Sequence, residues 1–533
     1  MKRRGTTFVL LLVLATSHAL SVAHAQDPQR PRTIATTTSA TAPAENAPRT
    51  IAELQSRIDQ IVHQPALEPG FFAVKIVSLD TGAVIYEQDA NKFVRPASNM
   101  KLYIVATAFD RLTPEYHFIT SVYAKEKPED GKVKGDLIIY GRGDPSIAAR
   151  FNNSDYFKGI NDLADRTVAA GVKRVKGDLV GDESYFAGAP LGSGWEWEDL
   201  TWSYGAPVSA LSINDNAIDL NVKPGDRVDA AVIFTTGPPA SSFITILNRA
   251  TTSARGSRSD LHIYRALGAN TLELSGTLPL GDAGFVGGVA ISDPALAFVS
   301  MLRDALTKRG VKLEGRVRTV SQARDSLVVP STAAVSGPFE ITALQSPRFA
   351  EIAAHTLKPS QNQYTELILR TLGRTQRASL DTTAGRVRDD EEAGLEIVRS
   401  FLRQAGVGDN DVALNDGSGL SRNDLISANT TVQLLTFMTK HKYFEPFREA
   451  LPIAGVDGTL RTRMRGTPAE GNLRAKTGSL SSVASLSGYV TTAGGEHLVF
   501  SMMLNNYPDA AAVRRDSIDA IAVLLASFNG KSQ

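Results

Sequence analysis

Arg95-Pro96-Ala97-Ser98-Asn99-Met100-Lys101-Leu102-Tyr103-Ile104-Val105 places a serine three residues ahead of a lysine, at the start of an apolar run that continues through Ala106, Ala108 and Leu112. Read as the first turn of a helix, this spacing puts both side chains on one face. There an amine kept partly unprotonated by its surroundings can take the proton of a hydroxyl. Ser98 and Lys101 are thus a candidate nucleophile and base. A solvated serine and lysine on an ordinary helix satisfy the same pattern, so the reading depends on the partner groups that acyl transfer also needs. The chain contains this S-x-x-K once.

At 533 residues the chain is too long for a single core, and roughly three domains are expected. Its 42% hydrophobic and 21% charged residues are ordinary for a globular protein. A net charge of +1 gives no electrostatic basis for nucleic acid or a polyanionic surface as partner. Residues 1–25 read as an export signal: Lys2, Arg3 and Arg4, an apolar run from Phe8 to Ala15, then Ala23-His24-Ala25 before Gln26. The run is short for a bilayer, so no integral membrane span is expected after cleavage. With no cysteine, the chain has neither a lipid-modified cysteine nor a disulfide framework. An exported protein of this kind fits a bacterial periplasm or cell envelope.

Residues 26–49, rich in Pro, Thr, Ala and Ser without apolar periodicity, read as a disordered leader. Thr50 is a plausible N-cap for a helix whose stripe is Ile51, Leu54, Ile58 and Ile61. Phe71 to Leu79 and Ala83 to Gln88 flank Asp80-Thr81-Gly82 as a hairpin. From about Pro114 to Gly288, short β-rich runs such as Ile119 to Ala124 and Ile218 to Val222 alternate with Gly, Pro and Asp turns, and only Asp155 to Ala170 is clearly helical. Helical texture returns at Asp293, and β-rich runs return from Asn472 to Leu504 before a closing helix from Ala510 to Ser527. An apolar hairpin alone is marginal, so the two β ends of the chain are expected to share one sheet. The expected fold is α/β of the α+β kind. An antiparallel sheet flanked by helices (50–113 and 289–530) is interrupted by a β-rich insertion (114–288) of two small domains.

Five S-x-N tripeptides occur, and context separates them. Ser360-Gln361-Asn362 lies between two expected helices, with Pro359 ending one and Tyr364 in the next, so both side chains can project. Ser421-Arg422-Asn423, after Asp416-Gly417-Ser418-Gly419, is the second choice. Lys476-Thr477-Gly478-Ser479 is the only K-T-G and opens the C-terminal strands. Lys476 supplies positive charge, Thr477 and Ser479 offer hydroxyls to a carboxylate, and Gly478 is expected to clear space for a substrate along the strand. Arg142-Gly143-Asp144, in Gly141 to Pro145, is read as a turn.

S-x-x-K, S-x-N and K-T-G in this order resemble the motif set of penicillin-binding proteins and serine β-lactamases. The flanks of Ser98, Tyr140-Gly141-Arg142-Gly143-Asp144-Pro145, Asp416 to Arg422, and Asp457-Gly458-Thr459-Leu460 resemble the class C low-molecular-mass penicillin-binding proteins. These are D-alanyl-D-alanine carboxypeptidases and endopeptidases with a large insertion after the S-x-x-K helix. Gln361 stands where Asp is often found in that family. The resemblance implies the penicillin-binding-protein and β-lactamase fold, peptidoglycan stem peptides as substrate and β-lactams as covalent inhibitors. It implies Ser98 as nucleophile, Lys101 as base, Ser360 and Lys476 as the proton path to the leaving D-alanine, and Asn362 as the residue that orients the peptide. The N–H groups of Ser98 and Ser479 would form the oxyanion hole, with Thr477, Gly478 and Ser479 at the substrate carboxylate. No cofactor and no metal is implied. Two alternatives remain: a serine β-lactamase, for which no glutamate stands out beside a hydrolytic water, and a non-catalytic wall-binding homologue, which would not need all five polar residues.

Overall fold

Alternation between two apolar clusters organises the central sheet. Along the strand Phe71–Ser78, Phe72, Val74 and Ile76 join one apolar cluster and Ala73 and Val77 another, and the strand His497–Asn505 divides Leu498, Phe500 and Met502 from Val499 and Met503 in the same way. A period of two sends neighbours to opposite faces, so the sheet is covered on both sides. In this computed structural model, which describes residues 47–239, 243–322, 325, 326, 328, 337–376, 389–507 and 511–532, five strands pair antiparallel. Their order is Arg474–Leu480, Val483–Thr491, His497–Asn505, Phe71–Ser78 and Val84–Gln88. The sheet expected from both ends of the chain therefore forms, with Phe71 opposite Asn505 in register.

The helices Ile51–Val62 and Ala511–Ser527 cover one face. Thr50 caps the first, its hydroxyl accepting the Glu53 N–H at 3.2 Å. The other face is covered by helices from the middle of the chain, among them Met100–Arg111, Phe349–Leu357, Asn362–Gln376, Asp390–Gln404 and Ala428–Thr439. The expected signal peptide, and all of the expected leader except 47–49, lie outside the described residues. Pro48 is buried and its carbonyl accepts the Asn529 N–H at 3.0 Å, so ordered packing begins ahead of Thr50. Among the described residues no helix is long and apolar enough to cross a membrane.

The insertion leaves this body after the helix Met100–Arg111 and has its own apolar core. Its main sheet runs Val317–Val320, Leu179–Asp182, Leu137–Tyr140, Ile119–Ala124, Phe339–Gln345. The first three of these strands are mutually parallel, the pairing that requires crossovers. The helices Lys158–Ala169 and Pro294–Lys308 supply them. The expected boundary at Gly288 is corrected here. Phe298, Val299, Leu302 and Leu306 of the second helix are buried in the insertion core, and the strand Phe339–Gln345 pairs with Ile119–Ala124, so the chain returns to the first body near Ser346. The apolar stripe of a helix is visible in sequence, but which of two cores it faces is not. The buried side chains from Val122 to Val311 form one contiguous cluster.

Candidate active site

Ser98 lies in a short 3-10 turn, Ala97–Asn99, directly ahead of the helix Met100–Arg111. Ala97 is held at φ +49°, the left-handed region that costs a non-glycine residue of order 1–3 kcal/mol. The turn is fixed from outside: the Ser485 hydroxyl donates to Pro96 O at 2.8 Å, and Asn99 Nδ2 donates to Ser487 Oγ at 2.7 Å. The strand Arg474–Leu480 passes so close that a Cβ on Gly478 would lie 2.1 Å from Ser485 Oγ, 2.7 Å from Pro96 O and 3.0 Å from Ser98 N. Glycine at 478 thus permits close backbone contact between strand and turn, a reason beyond the space expected for substrate. Gly478→Ala is expected to cost about 1–3 kcal/mol of stability, as overpacking does. It should also slow acylation by moving Ser98 off the strand, and thermal unfolding read beside penicillin labelling would check both.

Lys101 is fully buried. Its Nζ lies 2.9 Å from Ser98 Oγ, 2.7 Å from Asn362 Oδ1 and 2.6 Å from Ser418 O. In the neutral amine two N–H bonds can serve Asn362 and Ser418, which leaves the lone pair for the Ser98 hydroxyl. Burial drives the Lys101 amine down to about 7, against the opposing pull of Asp416, Glu366 and Asp424. That pull is blunted because burial also pushes Glu366 up to about 8 and Asp424 well above the ordinary carboxylate range, favouring their neutral forms. A lysine able to shed its proton near neutrality is what a base for a serine hydroxyl requires.

The turn carrying Ser360 connects the helices Phe349–Leu357 and Asn362–Gln376, with Ser360 at φ +65°. Lys476, also fully buried, donates to Ser360 Oγ and to Thr477 O, both at 2.8 Å. Its amine is held well below the ordinary lysine range by burial and then by the neighbouring Lys101. Thr477 Oγ1 lies 2.7 Å from Thr459 Oγ1. Ser479 lines the same cleft as Ser98 and Asn362. All eight residues singled out in the sequence are thus on the turn, helix start and strand that meet at this cleft. The second-choice tripeptide stands apart in part: the Ser421 N–H bonds Asp416 and Asn423 N–H bonds Ser421 Oγ, while Arg422 between them lines the cleft.

Several contributors lie outside the residues picked from the motifs. Glu366 accepts the N–H groups of Gly417 and Ser418, the latter at 2.8 Å, and so fixes the carbonyl that Lys101 uses. Its position four residues after Asn362, on the same helical face, is the signal that could have found it. Asp416 receives the Gly419 and Ser421 N–H groups and, from the insertion, Trp195 Nε1–H at 2.9 Å. The insertion also brings Asp199 and Tyr204 to the cleft, where Tyr204 O accepts from Asn362 Nδ2 at 2.9 Å and Arg422 meets Asp199 at 3.4 Å. Nothing local in sequence marks Tyr204.

The D-Ala-D-Ala carboxypeptidase 3 (S13) family matches residues 54–528. A D-alanyl-D-alanine carboxypeptidase of Actinomadura sp. (strain R39) is 34% identical over 503 residues, 90% of this chain and 86% of that protein. The D-alanyl-D-alanine carboxypeptidase DacB of Haemophilus influenzae is 26% identical over 449 residues, 82% of this chain and 85% of that protein. The crystal structure of penicillin binding protein 4 (dacB) from Haemophilus influenzae superposes with a TM-score of 0.72 at 23% identity, covering 88% of this chain and 97% of that one, which places both in one fold. On the matched span and on the relative sharing a third of its residues, this chain belongs to the D-Ala-D-Ala carboxypeptidase 3 (S13) family.

Proposed function

We propose that this chain is a serine-type D-alanyl-D-alanine carboxypeptidase acting on peptidoglycan stem peptides through an acyl-enzyme, able to act as an endopeptidase, and acylated by β-lactams. The observation that carries the reading is the buried Lys101 amine 2.9 Å from Ser98 Oγ. Ser98 Oγ attacks the carbonyl carbon of the D-Ala-D-Ala peptide bond as its proton passes to Lys101 Nζ. The N–H groups of Ser98 and Ser479 receive the oxyanion, a contribution of roughly a hundredfold or more per donor. The C–N bond breaks as the leaving D-alanine nitrogen takes a proton by way of Ser360 and Lys476. Asn362 orients Lys101 and the peptide, and Thr477 and Ser479 hold the terminal carboxylate. Water, deprotonated along the same path, then releases the acyl group. Glu366 does not offer a β-lactamase-like base for that water, since its carboxyl is engaged with Gly417 and Ser418. The insertion, taken as 114–345, completes the cleft wall, and the mature protein works in the bacterial periplasm or envelope.

The test is release of D-alanine from a D-Ala-D-Ala-terminated pentapeptide by the purified mature chain, with mass mapping after benzylpenicillin treatment. One adduct, on the peptide bearing Ser98, is expected, together with loss of D-alanine release. Turnover of penicillin without an adduct would overturn the reading in favour of a β-lactamase.

The pH dependence follows from Lys101. Its amine titrates near 7 in the folded chain, and only the neutral form accepts the proton, so acylation should fall about tenfold for each pH unit below 7 and level off above it. Stopped-flow acylation by a chromogenic cephalosporin would measure this limb, and a rate independent of pH between 5 and 8 would remove Lys101 from the role.

A further inference from the structure

A second cavity, of about 470 Å³, opens between the sheet and the helical layer. It lies at the opposite end of the strand Arg474–Leu480 from Ser479, and shares no residue with the cleft around Ser98. Its walls are Phe444 and Arg448 of the short helix Phe444–Glu449, and Arg474, Tyr489, Val490 and Leu498 of the sheet. The floor is rigid: the buried Tyr489 donates its hydroxyl to Leu435 O at 2.8 Å, and the Phe444 ring meets it edge-on at 5.4 Å.

The charged groups at its rim differ in how far they are satisfied. Asp80 is engaged by His497, which approaches it through N–H at 2.9 Å and Nδ1 at 3.0 Å. Arg448 meets Glu445 at 3.3 Å, with Arg448 partly and Glu445 well exposed, and such a solvent-accessible pair holds weakly. The partly buried Arg474 lines the cavity with Phe444, Tyr489 and Leu79 and with the polar Thr439, Asn472 and Thr491, and its guanidinium makes no hydrogen bond or ion pair among the described residues. A planar donor fork suited to carboxylate or phosphonate is thus left open beside an apolar surface. The volume is that of a small-molecule site.

We propose that this cavity is a binding site for a small organic anion, with a carboxylate or phosphonate on Arg474 and an aromatic or aliphatic body against Phe444, Tyr489 and Leu79. The site is separate from the catalytic cleft and does not depend on the reaction assigned to it. Titration of the mature chain with phenylphosphonate, followed by ligand-observed NMR, tests it. Benzoate should compete and phenyltrimethylammonium should not. Arg474→Met should weaken binding about tenfold or more, the worth of one charge-assisted hydrogen bond. Phe444→Ala, on the opposite wall, should weaken it as well, which keeps the test decisive where the strand variant folds poorly. Arg422→Met, which removes the cation of the Ser98 cleft, should leave it unchanged. Absence of binding, binding indifferent to both cavity variants, or binding lost only in Arg422→Met would overturn the proposal.

Discussion

Ser98→Ala is expected to give a folded chain that releases no D-alanine and carries no penicillin adduct in its intact mass. Among the described residues the Ser98 side chain has one hydrogen bond, with Lys101 at 2.9 Å, and Lys101 keeps Asn362 and Ser418 when that hydroxyl is removed. Stability should therefore change little, while the oxygen that forms the acyl bond is gone. An unchanged melting temperature with complete loss of label is the expected pair of results. Label persisting at full stoichiometry would move the nucleophile, and Ser360, whose hydroxyl is held by Lys476 at 2.8 Å, would be the first place to look.

Lys101→Arg keeps the positive charge and removes the ability to lose it, since guanidinium does not deprotonate in proteins. A fall in the acylation rate constant of about a thousandfold is expected, the typical contribution of a positioned general base. The site gives a further reason for so large an effect: with no exposed surface at Lys101, the wider guanidinium must displace Asn362 or the Ser418 carbonyl, both within 2.7 Å of the present amine. Labelling with a fluorescent penicillin over minutes to hours would measure the rate. A variant within about tenfold of the parent would show that another group takes the proton.

Both outcomes rest on residues that are legible in the amino-acid sequence. Ser98, Lys101, Ser360, Asn362, Lys476 and Ser479 are spread over nearly four hundred residues, yet their order and local context mark them, because each motif sits at a helix start, a turn or a strand where its side chains can project. The central sheet is legible for a similar reason, as neither the hairpin at Phe71 nor the strands near Tyr489 could be stable alone. Glu366, Asp416 and Tyr204 are harder to read. Their roles come from neighbours distant in sequence, such as Ser418 for Glu366 and Trp195 for Asp416.

The sequence by itself determined which chemical groups are present, in what order, and that the two ends of the chain build one sheet. The tertiary structure decided the proton affinity of Lys101, the extent of the insertion and the reason for Gly478. Proton affinity depends on the water removed and the charges gathered around the amine, and here those charges come from Asp416, Glu366 and Asp424, more than two hundred and fifty residues away. The helix Pro294–Lys308 has an apolar stripe that either core could have accepted, and only packing assigned it to the insertion. Gly478 is required by the approach of Pro96 and Ser98 across the sheet edge, a contact between segments that no local pattern records.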